Sequence, residues 1–248
     1  MRVEQFLSEG ALRFGSRPAI VADNRRYSYA DLARNSDRVA AALMGRGVKR
    51  GDRIALFMGN SFEAVVSAFA VLKAGAVVTP VDPANDAEAL VHILNQTRAV
   101  GIVTEARHAS VAAAAMKRAL GVRLVVLCGG DRSTAGGSCL CYEDLVRGIG
   151  SGPGVARAGA ADDPAVHLHP LFARDIDAGT VTHAELIAAV ARNPVASVSS
   201  VLSLAGFCQL LAAIRDGATL VLEAPSEFRC AIRDRIDGET GMAMALNG

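Results

Sequence analysis

Blocks of apolar and polar residues follow one another in a regular order along the first 150 positions of the chain. Short, nearly continuous apolar runs predict buried strands at residues 18–22, 53–58, 76–80, 99–104 and 122–128. Apolar residues at helical spacing predict helices at residues 3–14, 29–46, 61–74, 86–96, 106–119 and 142–148. Buried strands that alternate with helices predict an α/β fold of layered, mostly parallel sheets flanked by helices.

The third predicted helix shows the helical pattern most clearly. Its apolar residues recur every three or four positions and form one continuous stripe: Phe62, Val65, Val66, Phe69 and Leu72. Asn60 or Ser61 is suited to cap its start, and Gly75 is suited to end it.

Two segments rich in Gly, Ser and Ala, at residues 129–138 and 148–160, predict loops. We therefore expect a first α/β lobe at residues 1–150, a linker at 151–161 and a partial second lobe at 162–248. In the second lobe the pattern predicts strands at 164–169 and 218–223 and helices at 182–192, 205–215 and 226–235. Apolar segments follow at 195–202 and 241–246.

The charge balance excludes some classes of partner. With 26 basic and 25 acidic residues the net charge is +1, which does not favour nucleic acid or a membrane surface as partner. Charges interrupt every apolar run before it reaches the length of a membrane span. The N-terminal segment carries Glu4 and Glu9 and predicts an amphipathic helix instead of a signal peptide, so we expect a cytoplasmic protein.

The five cysteines fit that location. Cys128, Cys208 and Cys230 lie among apolar residues and are expected to be core positions. Cys139 and Cys141 form a single C-x-C beside a predicted exposed loop. A zinc site usually needs a second such pair, which the chain lacks, so no metal is expected there.

Residues 25–83 resemble the N-terminal region of the adenylate-forming (ANL) superfamily, which includes acyl- and aryl-CoA synthetases and the adenylation domains of peptide synthetases. Tyr29, Asp31 and Leu32 match the Tyr-x-Glu-Leu motif of that family. The segments GVKRGDRIAL and AVLKAGAVVTPVDP match its following motifs, and AEALVHILNQTRAVGIVTE continues the likeness. The resemblance implies the fold of the first half of the large N-terminal domain.

The resemblance also locates the family's ATP-phosphate loop. In the family, an acidic pair and a strand lead to Tyr-Thr-Ser-Gly-Thr-Thr-Gly-x-Pro-Lys-Gly, and Thr-His then begins a helix. Here Asp162–Asp163 match the acidic pair and Thr182–His183 the helix start. The positions of the second to seventh loop residues are held by Pro170, Leu171, Phe172, Ala173, Arg174 and Asp175. Ala178 replaces the lysine, and Gly179 alone matches.

These replacements oppose phosphate binding. Pro170 lacks a backbone donor, and Leu171 and Phe172 add bulk where the backbone must approach a phosphate. Asp175 and Asp177 add negative charge that only Arg174 offsets. We therefore expect that ATP and magnesium do not bind in the family manner and that the chain has no cofactor.

A second family segment, Pro-Leu-Phe-His-x-x-Gly, lines the acyl or aryl pocket. Ser203 stands at its histidine position and Gly206 at its glycine, and Phe207 follows. These residues are either the remains of an acyl pocket or ordinary helix-core positions.

One other arrangement of ligating residues occurs near the loop. His167 and His169 share one face of a predicted strand, and Asp175 and Asp177 follow. Imidazole and carboxylate groups suit zinc, manganese or iron. The alternative, that the loop drifted after it lost its ligand, requires no metal, and a metal-free chain is the expectation.

Three functions remain open on the sequence alone. The family's adenine, ribose and magnesium sites and its mobile C-terminal domain have no counterpart before Gly248, so we expect no adenylation by this chain alone. It is then a non-catalytic partner, one piece of a split acid–AMP ligase, or a gene product without a role. We expect a homodimer or a complex with a full-length ligase or carrier protein, formed through an unpaired strand edge near residues 218–246.

Overall fold

The computed structural model describes residues 1–130, 139–148, 158–169, 179–192, 200–222 and 231–233. The helices within them are α1 (Glu4–Phe14), α2 (Tyr29–Gly45), α3 (Phe62–Lys73), α4 (Ala87–Gln96), α5 (Ala109–Met116), α6 (Tyr142–Arg147), α7 (His183–Arg192) and α8 (Leu204–Asp216). The strands are β1 (Pro18–Ala22), β2 (Arg25–Ser28), β3 (Arg53–Phe57), β4 (Val77–Val81), β5 (Ala99–Glu105), β6 (Leu124–Cys128), β7 (Cys139–Cys141), β8 (Pro164–Leu168), β9 (Gly179–Thr182), β10 (Thr219–Leu222) and β11 (Ala231–Arg233). A 3-10 turn, Ala106–His108, precedes α5.

The strands form two sheets. The larger has the order β7-β6-β5-β3-β4-β8-β9 and is parallel except for β9, which pairs antiparallel with β8. The smaller has the order β11-β10-β1-β2, in which only the β1–β10 pair is parallel. The predicted α/β class of layered, mostly parallel sheets with flanking helices is confirmed.

Both sheets combine strands from either side of residues 151–161. β8 pairs with β4 in the larger sheet, and β10 pairs with β1 in the smaller one. The segment predicted as a linker therefore does not divide the chain into parts with separate sheets. The lobe boundaries remain a prediction.

Helix α3 is buried around its whole circumference. Of its 12 residues all but Glu63 are buried, although the sequence shows a single apolar stripe. Ser61 caps the helix by accepting a hydrogen bond from Ala64 N at 3.1 Å, and Gly75 ends it with a φ of 74°. A helix buried on every side lies in a protein core or in a bilayer, and no helix in the described part of the chain has the length and apolar character to cross a membrane.

Several elements differ from the prediction. The strands β2, β7 and β9 were not expected, and each is four residues or shorter. The C-x-C pair occupies β7, where both thiols are half-buried, and residues 131–138 of the loop predicted beside it lie outside the described residues. Cys128 and Cys208 are buried as expected, whereas Cys230 lies outside the described residues.

The C-terminal part differs most. The predicted helix at 226–235 is wrong at residues 231–233, which form β11 and pair antiparallel with β10. Because β10 has a partner on each side, it offers no unpaired edge, and within the described residues β11 is the edge strand. The predicted apolar run at 241–246 and most of 195–202 lie outside the described residues.

Candidate functional site

The predicted phosphate loop joins β8 to β9. These strands lie side by side, with Leu168 opposite Gly179 and His167 opposite Thr180. β8 is parallel to β4, so its last residue lies on the side of the sheet formed by the carboxyl ends of the parallel strands. That is the side on which α/β proteins usually bind ligands. Gly179 begins β9. The other loop positions, Pro170, Leu171, Phe172, Ala173, Arg174, Asp175, Asp177 and Ala178, lie outside the described residues.

His167 in β8 and His169 directly after it each have a protein partner. His167 Nδ1 lies 2.9 Å from Thr180 Oγ1, and His169 Nε2 lies 2.7 Å from the side-chain oxygen of Gln96. The His169 ring also meets the exposed His92 ring edge-on, with centroids 5.6 Å apart. Burial, more than the neighbouring positive charges, lowers the pKa of both His167 and His169.

These contacts do not assemble a metal centre. Across the described ranges, no group of three or more His, Cys, Asp or Glu side chains is arranged to hold a metal ion. The two aspartates of the alternative His/Asp site lie outside those ranges, so the expectation of a metal-free chain stays a prediction.

Thr182 and Glu185 form a capping box at the start of α7. Thr182 Oγ1 accepts a hydrogen bond from Glu185 N at 3.2 Å, and Thr182 N donates to the Glu185 carboxylate at 2.8 Å. These bonds hold down the pKa of the Glu185 carboxyl. They satisfy backbone groups that the helix itself leaves without partners.

His183 is fully buried against the N-terminal segment. Its Nε2 lies 3.3 Å from Arg2 Nε and its Nδ1 lies 3.3 Å from Val3 N. A neutral imidazole accepts at only one ring nitrogen, so the two contacts belong to different tautomers. Burial first, and then the Arg2 charge, lowers the His183 pKa from 6.5 to about 4, so the ring is neutral at pH 7. The ring thus holds the start of the chain against α7.

Asp163, of the acidic pair, ties the same region together. Its side chain accepts from Ala160 N at 2.9 Å and pairs with Arg50. The bond to Arg50 is the main reason why its pKa is lowered. Its backbone oxygen accepts from His183 N at 3.1 Å. Asp163 therefore has a structural use that does not involve a nucleotide.

Ser203, Gly206 and Phe207 lie at the start of α8. Ser203 Oγ accepts from Gly206 N at 3.0 Å and donates to Ser200 O at 2.7 Å, which caps the helix. A Cβ on Gly206 would lie 1.9 Å from Ser200 O, so only glycine fits this turn. Phe207 is 1% exposed and belongs to the hydrophobic core.

The sequence did not indicate a cleft of about 360 Å³ at the carboxyl ends of β3, β5 and β6. We call it the acidic cleft, and it is lined by Asp23, Asn60, Ser61, Glu63, Glu105, Ala106, Arg107, Cys128, Gly129 and Glu143. Four carboxylates that lie far apart along the chain meet here. Only the order of the strands brings them together, so no local motif could have revealed them.

Comparison with known proteins places the chain in a family. A model of the family described as "AMP-binding enzyme" matches residues 7–166. Naringenin synthase of Pestalotiopsis fici is 36% identical over 119 residues, which are 48% of this chain and 4% of that protein. Tyrocidine synthase 1 of Brevibacillus parabrevis is 34% identical over 103 residues, which are 42% of this chain and 10% of that protein.

Solved structures show the same fold. The coronafacic acid ligase of Pectobacterium brasiliense superposes with a TM-score of 0.78 at 19% identity, over 90% of this chain and 45% of that one. Identity this low supports a likeness of fold alone. The chain spans less than half the length of each of the three proteins compared.

Proposed function

The chain belongs to the family of AMP-binding enzymes, and on that premise we propose that it is a ligase-like protein that does not adenylate a substrate by itself. It acts as a non-catalytic partner or regulatory subunit in the metabolism of acyl or aryl acids or of natural products. The chain spans only part of the length of its relatives, so the activity of the whole protein belongs to this proposal.

The residues between β8 and β9 carry this proposal. Phosphate binding by a loop requires free backbone N–H groups, small residues and positive charge. The chain instead has Pro170 and Phe172, with Asp175 and Asp177 close to the one cation, Arg174. A polyanion such as ATP meets bulk and like charge at this position.

The flanking scaffold, in contrast, is well formed. β8 and β9 are paired, Thr182 caps α7 and His183 is held in the core. Contacts between protein groups therefore hold the elements on both sides of the loop. The scaffold is intact although the phosphate-binding residues are replaced, and this combination favours a role in binding over a role in catalysis.

Isothermal titration with ATP and magnesium tests the proposal. We expect no saturable binding up to about 1 mM ATP, the range in which typical metabolite sites are filled. The Arg174→Ala variant is the matched control, since Arg174 is the single cation of the loop. Micromolar affinity that disappears in Arg174→Ala would overturn the proposal.

The proposed partner is a second copy of the chain, a full-length ligase or a carrier protein. The strand β11 supports this proposal because, among the described residues, it is the edge strand of the smaller sheet, and an edge strand can pair with another chain. Light scattering after size-exclusion chromatography should give the mass of two chains or of a complex. A monodisperse single chain at high concentration, alone and with candidate partners, would contradict it. A cytoplasmic location is likewise proposed from the sequence.

The split-ligase function is the second candidate. It is favoured by the coverage of the coronafacic acid ligase, of which this chain matches 45%. In that case, pyrophosphate exchange with ATP should appear when a polypeptide that supplies the remaining part is added. Exchange that stays absent with such a polypeptide leaves the non-catalytic function as the better proposal.

A further inference from the structure

A second cavity, of about 310 Å³, lies between the β8–β9 strand pair and the C-terminal end of α4. We call it the arginine cavity, and it is lined by Arg53, Gln96, Thr97, Arg98, His167 and Thr180. These residues offer two guanidinium groups, an imidazole, an amide and two hydroxyls, and no carboxylate belongs to this described lining. Its volume is at the lower end of the range of small-molecule sites. The chemistry of the lining therefore suits a small anion.

The two arginines give the arginine cavity its charge. Arg53 Nε donates to Thr97 O, and the two terminal nitrogens of that guanidinium remain as donors. Arg98 is exposed, and neither arginine forms an ion pair within the described residues. The end of α4 at Gln96 contributes about half a negative charge. Two full positive charges outweigh it, so the cavity attracts an anion.

Hydrogen bonds around the arginine cavity leave further N–H donors for a ligand. Gln96 Oε1 lies 2.7 Å from His169 Nε2, and because this oxygen can only accept, the Gln96 amide nitrogen is left as a donor, with no hydrogen bond to any described residue. His167 Nδ1 lies 2.9 Å from Thr180 Oγ1. When that hydroxyl donates to Nδ1, the neutral His167 ring carries its proton on Nε2. Gln96 and His167 thus add two neutral donors to the two guanidinium groups.

The donor set favours carboxylate groups over a phosphate. Phosphate sites commonly use backbone N–H groups at the start of a helix, whereas this cavity adjoins the end of one. The two arginines are close in the sheet, because Arg53 pairs across β3 and β5 with Ala99, the residue after Arg98. Each guanidinium can hold one carboxylate through two parallel hydrogen bonds. Two guanidinium groups therefore match a molecule with two carboxylates, both in geometry and in charge.

We propose that the arginine cavity binds a small aliphatic dicarboxylate. One carboxylate pairs with Arg53 and the other with Arg98. The side chains of Gln96 and His167 donate hydrogen bonds to the remaining oxygens. The site includes none of the phosphate-loop positions 170–178 and none of the residues at the start of α8. It is therefore independent of the proposed function, and the ATP titration and the dicarboxylate titration can fail separately.

Titration calorimetry of the full chain with malonate, succinate and glutarate tests the site. At least one of these dicarboxylates, which differ in length, should bind saturably, one molecule per chain, with a Kd below about 1 mM at low salt. Acetate should bind at least about tenfold more weakly because it meets only one guanidinium. Inorganic phosphate should not displace the bound dicarboxylate at equal concentration. An absence of saturable binding by all three, or displacement by phosphate, would overturn the proposal.

The Arg98→Asn variant separates ligand binding from folding. Arg98 has a left-handed backbone with a φ of 51°, which asparagine adopts more readily than arginine. The variant should therefore melt at the same temperature or higher, while its dicarboxylate affinity falls about tenfold through the lost charge pair. Arg98→Lys keeps the charge but not the planar pair of donors, and should weaken binding about threefold. Unchanged affinity in a folded Arg98→Asn variant would refute the site.

A matched control distinguishes a built site from a diffuse positive surface. Arg34→Gln removes an exposed arginine of α2, which does not line the cavity, and should leave dicarboxylate affinity unchanged. Arg98→Asn and Arg34→Gln change the net charge equally. Equal losses of affinity in the two variants would mean that only the overall charge attracts the anion, and the proposed cavity would be wrong.

The His167 ring reports binding at the cavity itself. Burial, and then the Arg53 charge, lowers the His167 pKa, whereas an anion beside the ring favours its protonated form. The His167 pKa measured by NMR titration should therefore rise when the dicarboxylate is saturating. The pKa of His108, which lies beyond the opposite end of β5 from Arg98, is the control and should not change. An unchanged His167 pKa would overturn the contact assigned to this ring.

Discussion

The buried His183 should make the stability of this protein depend on pH in a predictable window. Its pKa is about 4 in the folded chain and 6.5 when unperturbed. The difference corresponds to about 3 kcal/mol of unfolding free energy, at about 1.4 kcal/mol for each pH unit. Because the folded pKa is the lower one, the unfolded chain takes up the proton first on acidification. Stability should therefore fall as the pH decreases from 6.5 to 4.

Glu4 acts in the opposite direction and must be separated from His183. Its carboxylate is almost fully buried and burial raises its pKa, so protonation of Glu4 on acidification favours the folded state. The Glu4 and His183 side chains lie 3.6 Å apart. The pH dependence of the wild type alone thus contains both effects, as well as those of other carboxyl groups.

A difference between two variants isolates the His183 contribution. Urea unfolding followed by circular dichroism, repeated from pH 4 to pH 7.5, gives the unfolding free energy of wild type and His183→Gln. Gln keeps a polar group but does not titrate. The wild type should lose about 3 kcal/mol relative to His183→Gln between pH 6.5 and 4. The exposed His92→Gln change is the control and should run parallel to the wild type.

The opposite result would refute the reasoning. If acidification stabilised the wild type relative to His183→Gln, the imidazole would be protonated in the folded state and paired with Glu4. A constant difference across the window would mean that water reaches the ring. Direct titration of the His183 ring by NMR decides between these outcomes.

Three further predictions concern stability. Gly51→Ala should lower the unfolding free energy by about 1 kcal/mol, because φ is 80° there while the new methyl meets open space. Gly217→Ala should lower it by at least about 1 kcal/mol more, because the added Cβ would lie 2.5 Å from an aromatic ring. Equal melting temperatures of the two variants would contradict the clash. Ser203→Ala should cost about 1 kcal/mol through the lost cap of α8, measured by urea unfolding, and no loss would show that the cap contributes nothing. Asp37→Asn should lower the unfolding free energy by about 2 kcal/mol, because it leaves the buried Lys73 ammonium without its carboxylate. Lys73→Met removes the buried charge and should lower it by less than about 1 kcal/mol. The reverse order of stability in thermal melts would refute this account of the pair.

Most of the first 130 residues could be predicted because local pattern and burial agree there. The helix predicted at 86–96 is α4 at Ala87–Gln96, and the strand predicted at 18–22 is β1 with the same bounds. The short strands β2, β7 and β9 could not be predicted, because three or four residues carry no period and their pairing comes from neighbouring strands. β11 is a strand for the same reason, since its hydrogen bonds are made to β10.

The candidate sites divide in the same way. The phosphate-loop position could be located from residue types in order along the chain, as could the start of α7 at Thr182–His183, because both depend on neighbours in sequence. The contact of His183 with Arg2 joins residues 181 positions apart, and no local pattern contains it.

The sequence by itself determined the α/β class, the family likeness and the loss of phosphate-binding residues, because each depends on residue type and short-range spacing. Only the tertiary structure decided which side chains meet. Strand order brings Asp23, Glu63 and Glu143 to one cleft, and the packing of the N-terminal segment on α7 buries His183. Burial and like charge then shift the pKa values of Glu63 and His183, and both effects arise from long-range contacts that a linear pattern does not record.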